Sequence, residues 1–169
     1  LVNVVTTFLS KTDRLVGTVY SIIFKHWPVT SPTKQILFLN EMELLAKLLQ
    51  PSDIEIIKKL CHIVASCSSS QLFTVAERSL MLWESDSFMS LVSKTSKKTF
   101  PILIPDIFKT ATSHWCPDVR NLALNALRVL KGFDLQSFEN YGTSFKIIES
   151  QKIMVEMSKG KMWDNLIEM

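Results

Sequence analysis

The residues of this chain able to hold a metal or attack an electrophile are few: three cysteines, Cys61, Cys67 and Cys116, and three histidines, His26, His62 and His114. Cys61-His62 with Cys67 is the densest group. Placed on one helix, the two thiols point about 240° apart, so they cannot grip one ion together, and they read as buried free thiols behaving as small hydrophobes. His26 and His114 stand too far off in sequence to complete a local zinc motif. A nucleophile and base drawn from His114 and Cys116 would need an oxyanion nest or a glycine-rich turn, and "HWCPD" supplies neither. That stretch reads instead as a turn between helices in which Trp115 packs and Pro117 restarts the chain. Gly17, Gly132, Gly142 and Gly160 form no phosphate-binding loop and no dinucleotide fingerprint. The residues therefore predict no catalytic centre, no metal and no cofactor.

The other chemically suggestive feature is the adjacent acid and base Glu77-Arg78, inside "SSQLFTVAERSLMLWESDSFMSL". On a helical wheel Leu72, Phe73, Val75, Ala76, Ser79, Leu80, Leu82 and Trp83 share one half, and Glu77, Arg78, Met81, Glu84 and Ser85 share the other. Neighbours in sequence do not face each other on a helix, so Glu77 and Arg78 diverge toward different partners. Arg78 lies at the apolar boundary, where its stem covers greasy surface while the guanidinium reaches a carboxylate of an adjacent unit or of a docked protein. Either reading is open from the sequence.

These residues must be positioned by helices. A hydrophobic content of 47% with 21% charged residues describes an ordered chain, and four glycines with six prolines leave few turns. The net charge of +3 comes without a long basic run, which gives no electrostatic case for nucleic acid. No apolar stretch reaches the length of a membrane span; the most apolar loop-like segment, "TFPILIPDIF", is cut by Pro101 and Pro105. The few, odd-numbered cysteines fit no disulfide framework and suit a reducing compartment, cytoplasmic or nuclear. The chain opens in mid-pattern at Leu1, as a fragment lacking an N-terminal partner segment would.

Apolar residues recur at helical spacing, with breaks at "WPVTSPT", "QPSD", "SSS", "TFP", "HWCPD" and "GFD". The spacing predicts helices over 2–9, 14–27, 33–49, 52–67, 70–84, 86–98, 101–113, 117–131 and 135–167, and no sheet. Ser52 or Asp53 opens one helix, Asp86 can cap the next, and Pro117 suits a first helical position. Lys94, Lys97 and Lys98 fall at a predicted helix end, where cations complement the dipole.

"VAERSLMLW" from Val75 and "VRNLALNAL" from Val119 superpose at an offset of 44 residues, with Val over Val, Ser79 over Ala123, Leu80 over Leu124 and Trp83 over Leu127. That offset lies within the roughly 40–47-residue period of HEAT and armadillo helix pairs. The expected fold is all-α, a HEAT/armadillo-like solenoid over residues 1–150, with 151–169 as an amphipathic C-terminal helix capping it.

"FKHWPVTSPTKQILFLNEMELLAKLLQPSD", "VAERSLMLW", "FMSLVSK", "SHW" and "NAL", in this order, resemble the C-terminal half of the B-prime family of regulatory subunits of protein phosphatase 2A. The resemblance implies a curved solenoid that joins a scaffold subunit and a catalytic phosphatase subunit, performs no hydrolysis itself and directs the choice of phosphoprotein substrates. It implies a pocket for short LxxIxE motifs in preceding repeats, outside this chain. It also points to Trp27, Pro28, Ser31, Pro32 and Lys34, the family's segment between helices, as protein contacts beside Glu77 and Arg78; the competing reading is that Trp27 and Pro28 stiffen the turn. The alternative function is a HEAT/armadillo adaptor or transport scaffold unrelated to phosphatases.

Overall fold

A computed structural model describes residues 13–141. The helix expected at 2–9, the greater part of that expected over 135–167 and the cap over 151–169 lie outside the described residues.

Among the described residues seven helices run in order: α1 (Asp13–Lys25), α2 (Pro32–Ala46), α3 (Ile54–Ser68), α4 (Phe73–Met81), α5 (Asp86–Lys94), α6 (Ser96–Ser113) and α7 (Pro117–Phe133). A 3₁₀ turn, Leu82–Glu84, extends α4, helical backbone resumes over 135–141, and no strand occurs among the described residues. Each long helix carries one apolar stripe. On α3 it is Ile57, Leu60, Cys61, Val64 and Ala65, and on α7 Val119, Ala123, Ala126 and Leu130, all essentially inaccessible. The small residues Ser79, Ala123 and Ala126 let neighbouring backbones come close.

The helices form three pairs, α1 with α2, α3 with α4, and α6 with α7, stacked in two layers: α1, α3 and α6 in one, α2, α4 and α7 in the other. Helix α5 is an extra element between the second and third pairs and rests on α2 and the 3₁₀ turn. There Trp83 meets Phe88 edge to face, with centroids 5.2 Å apart. Buried polar groups rivet the layers together. The Tyr20 hydroxyl donates to the Met42 carbonyl (3.1 Å), joining α1 to α2, and the Ser79 hydroxyl donates to that of Val64 (2.7 Å), joining α4 to α3.

The 44-residue offset is the stacking distance. Val75 and Val119 are both buried, as are Ser79 and Ala123, in successive helices of the same layer. Leu80 and Leu124 break the match: Leu80 is buried and Leu124 is 41% exposed. Helix α4 lies between α2 and α7, whereas no further helix of that layer stands on α7 among the described residues.

Three expectations of the sequence change. "TFPILIPDIF" is not loop-like: Pro101 and Pro105 lie inside α6, and the break falls earlier, at Thr95. Proline removes one backbone donor in a helix interior. The carbonyl that Pro101 leaves without its usual partner is that of Lys97, and the Tyr141 hydroxyl stands 3.5 Å from it. Ser85, not Asp86, is the N-cap of α5, with its carbonyl accepting Met89 N–H at 2.9 Å, while Asp86 is the first helical residue. Finally, α4 begins at Phe73 because 70–72 is a turn in which Leu72 N–H donates to Ser70 Oγ. Asp53 does cap α3, and its carboxylate accepts the Gln50 amide across the preceding turn at 2.9 Å.

Candidate functional site

Helix α2 is where both groups of residues singled out in the sequence meet: the turn Trp27–Ser31 leads into its N-terminus, and Arg78 of α4 bonds its side chains. At its N-terminus the chain turns tightly: Val29 N–H donates to the Trp27 carbonyl (3.0 Å) and Ser31 N–H to that of Pro28 (3.2 Å). Ser31 is the N-cap and Pro32 occupies the start of the helix, where its missing N–H costs nothing. Trp27 is half-buried and packs edge-on against Phe38, with centroids 6.1 Å apart. Trp27 and half-buried Pro28 thus stiffen the turn, while Lys34 and the 77% exposed Val29 face outward.

Farther along α2, Arg78 reaches over from α4. Its Nε donates to the Asn40 side-chain carbonyl and its Nη2 to the Glu43 carboxylate, an ion pair between successive repeats. The neighbouring carboxylate anticipated for Arg78 is therefore Glu43, and Asn40 shares the guanidinium. Glu77 is half-buried and takes no part in this pair. Asn40 and Glu43 stand about 12–16 Å up the helix from Pro32 at 1.5 Å per residue. The two groups share an element without converging on one pocket.

In the turn before α7 Trp115 does not pack inward as the sequence suggests: it is 60% exposed. It stacks on His114 at 5.7 Å and donates its indole N–H to the Gln71 carbonyl at 3.0 Å, so it clasps the preceding repeat from outside. His114 is the buried member. Its Nε2 lies 2.9 Å from the Ser70 carbonyl and its Nδ1 accepts Cys116 N–H at 3.1 Å. With both ring nitrogens committed to backbone, His114 is no base for the neighbouring thiol. Arg120 closes the turn by donating to the His114 carbonyl at 2.6 Å. The sequence hid the reach of His114 and Trp115 to the preceding repeat because their partners there, the Ser70 and Gln71 carbonyls, lie 44 residues away.

Cys61 and Cys67 are buried, and burial pushes both thiols up to about 12. His62, between them, is exposed. No group of three His, Cys, Asp or Glu converges on a common point among the described residues. The lysine cluster is arranged differently from expectation: Lys94 ends α5, but Lys97 and Lys98 fall in the first turn of α6, at the dipole end that disfavours cations.

A family model described as protein phosphatase 2A regulatory B subunit (B56 family) matches residues 1–169. The chain is 35% identical over 162 residues to the B' delta isoform of the phosphatase 2A regulatory subunit of Arabidopsis thaliana, covering 95% of this chain and 34% of that one. It is 35% identical over 151 residues to the delta 2 regulatory subunit of Schizosaccharomyces pombe, covering 88% and 24%. To the human delta isoform it is 32% identical over 167 residues, covering 98% and 28%. The chain spans about a third of the length of the first curated relatives it matches. With a match along its whole length and helix pairs stacked at the repeat spacing, the chain belongs to the B56 family of protein phosphatase 2A regulatory B subunits.

Proposed function

We propose that the chain acts as part of a non-catalytic regulatory subunit that binds the scaffold and catalytic subunits of protein phosphatase 2A and directs the enzyme to its phosphoprotein substrates. The observation that carries this is the family match along all 169 residues, joined to relatives named as regulatory subunits. Hydrolysis belongs to the catalytic partner. The protein works in the cytoplasm or nucleus, with neither nucleic acid nor membrane among its partners; no helix among the described residues is long and apolar enough to cross a bilayer. Family membership removes the motive for an adaptor unrelated to phosphatases.

The stacked helix pairs make a stiff support, and the turns at their edge are the natural contact points. The segment Trp27, Pro28, Ser31, Pro32 and Lys34 serves as one of them: two half-buried rings hold its shape while Val29 and Lys34 reach outward. Arg78 keeps α4 seated on α2 behind it, and Glu77 offers a carboxylate on the same edge. A pull-down of purified scaffold and catalytic subunits by the full-length protein tests the reading. Capture is expected, and Lys34→Glu combined with Val29→Asp should weaken it by roughly tenfold with unchanged melting. A well-folded protein that fails to bind the two subunits overturns it. Phosphatase activity of the chain alone, with or without added divalent metal, overturns the non-catalytic role.

A further inference from the structure

The joint between α5 and α6 gathers positive charge around an open trough. Two clefts, of about 360 and 300 Å³, adjoin there and share Pro51 and Lys94. The first lies between the turn after α2 and the side of α5; the second continues over the joint onto the first turn of α6. Lys47 and Lys94 line the first cleft, and Lys94, Lys97 and Lys98 line the second, against Asp86 as the one acid in either wall.

All four lysines are exposed, and none makes an ion pair among the described residues. Two further carboxylates near the trough, outside its walls, are engaged elsewhere. Glu55, which feels Lys98, bonds Lys58 at 2.8 Å, and Asp134, which feels Lys97, accepts the Ser137 amide at 3.0 Å. The net charge of the whole chain is only +3, and the four lysines less Asp86 account for all of it, so the charges of the rest of the sequence cancel. Two of its lysines also stand at the positive end of an 18-residue helix, where they add to the local potential instead of offsetting the dipole.

We propose that this trough binds an extended, Asp/Glu-rich peptide segment of a partner protein. Charge complementarity names the occupant, and the residue types narrow it. Every cation is lysine, a compact point charge on a flexible stem, which follows a run of carboxylates; planar, bidentate capture of a phosphate favours arginine. No aromatic ring lines either cleft, so the stacking platform of single-stranded nucleic acid is missing. Pro51, Ile54 and Leu91 give a short apolar floor on which one aliphatic side chain of the segment can rest. This site does not depend on assembly with a phosphatase.

Fluorescence anisotropy on the full chain tests it with labelled synthetic peptides: Glu/Asp-rich with a central leucine, the same peptide with lysines for the acids, and a phosphoserine peptide lacking Asp and Glu. A single-stranded oligonucleotide is the fourth probe. The acidic peptide should bind and weaken steeply as salt rises. Lys47→Glu with Lys94→Glu should reduce that binding by roughly tenfold or more, with the melting temperature unchanged, while Lys131→Glu on α7 leaves it intact. Equal loss with Lys131→Glu, equal binding of the lysine peptide, or tighter binding of the phosphoserine peptide or the oligonucleotide overturns the proposal. So does absence of binding by the acidic peptide to the folded chain at low salt.

Discussion

His114 and Ser70 stand 44 residues apart in the chain and 2.9 Å apart in space, ring Nε2 to backbone carbonyl. Because a carbonyl only accepts and the Cys116 amide at Nδ1 only donates, the ring is held as the neutral tautomer protonated on Nε2. His114→Ala leaves a partly buried carbonyl and a buried amide without partners. It should cost about 1–3 kcal/mol in a urea melt. His114→Gln, whose amide offers one donor and one acceptor, should recover part of that loss. If alanine and glutamine melt alike, the hydrogen bonds contribute little and only ring volume matters.

Trp83 is 95% buried by the measure of its 5% exposure, and its indole N–H finds no partner among the described residues. Trp83→Ala removes the ring that meets Phe88 and should destabilise by about 3–5 kcal/mol. Trp83→Phe keeps most of the volume while deleting an unsatisfied donor, so it should cost markedly less. A phenylalanine variant as unstable as the alanine one would show that the N–H is satisfied.

Arg78 bonds two side chains of α2 at a half-buried edge. Arg78→Ala should cost about 0.5–2 kcal/mol, from charged hydrogen bonds and lost stem packing. In a double-mutant cycle with Glu43→Gln the losses should be less than additive, since either change alone breaks the pair. Full additivity would mean the two residues are not coupled. Unchanged stability with lost binding to the phosphatase subunits would make Arg78 a docking residue.

The thiols of Cys61 and Cys67, pushed up to about 12 by burial, stay protonated in the folded protein where the unfolded chain has begun to lose protons. The folded state therefore binds more protons above the free-thiol value of about 8.5, and stability falls as pH rises from there toward 12, by up to about 1.4 kcal/mol per pH unit per thiol. The Tyr20 phenol, also raised by burial, acts in the same direction. Denaturant midpoints at neutral and alkaline pH should show the decline. Alkylation of both thiols at neutral pH should proceed only as fast as the protein opens; rapid labelling of the native chain would contradict their burial.

The helical architecture was legible because one residue pattern recurs at the stacking distance, so Val75 and Val119 announce the same buried position twice. What escaped depends on contacts far along the chain. Arg78 carried a readable demand for an acceptor, but Asn40 and Glu43 answer it from 38 and 35 residues away. Prolines 101 and 105 signalled a break on local grounds. Spaced at i and i+4 they lie along one side of α6, Pro101 exposed and Pro105 half-buried, and buried Phe100, Leu103, Ile104 and Ile107 hold the helix from the other. Packing there outweighs the lost backbone bonds. The lysine trough was visible only as a fragment of itself, since Lys47 joins Lys94 across a turn that the sequence does not relate to α5.

The hydrogen bonds that tie one repeat to the next span 35, 38, 42 or 44 residues. Each closes a loop of about one repeat and no larger. Loop-closure entropy grows with the logarithm of loop length, so every added helix pair meets the same ordering cost as the one before it. A chain built this way can lengthen without its ends ever having to find each other, and its folding speed is set by the repeat, not by the protein.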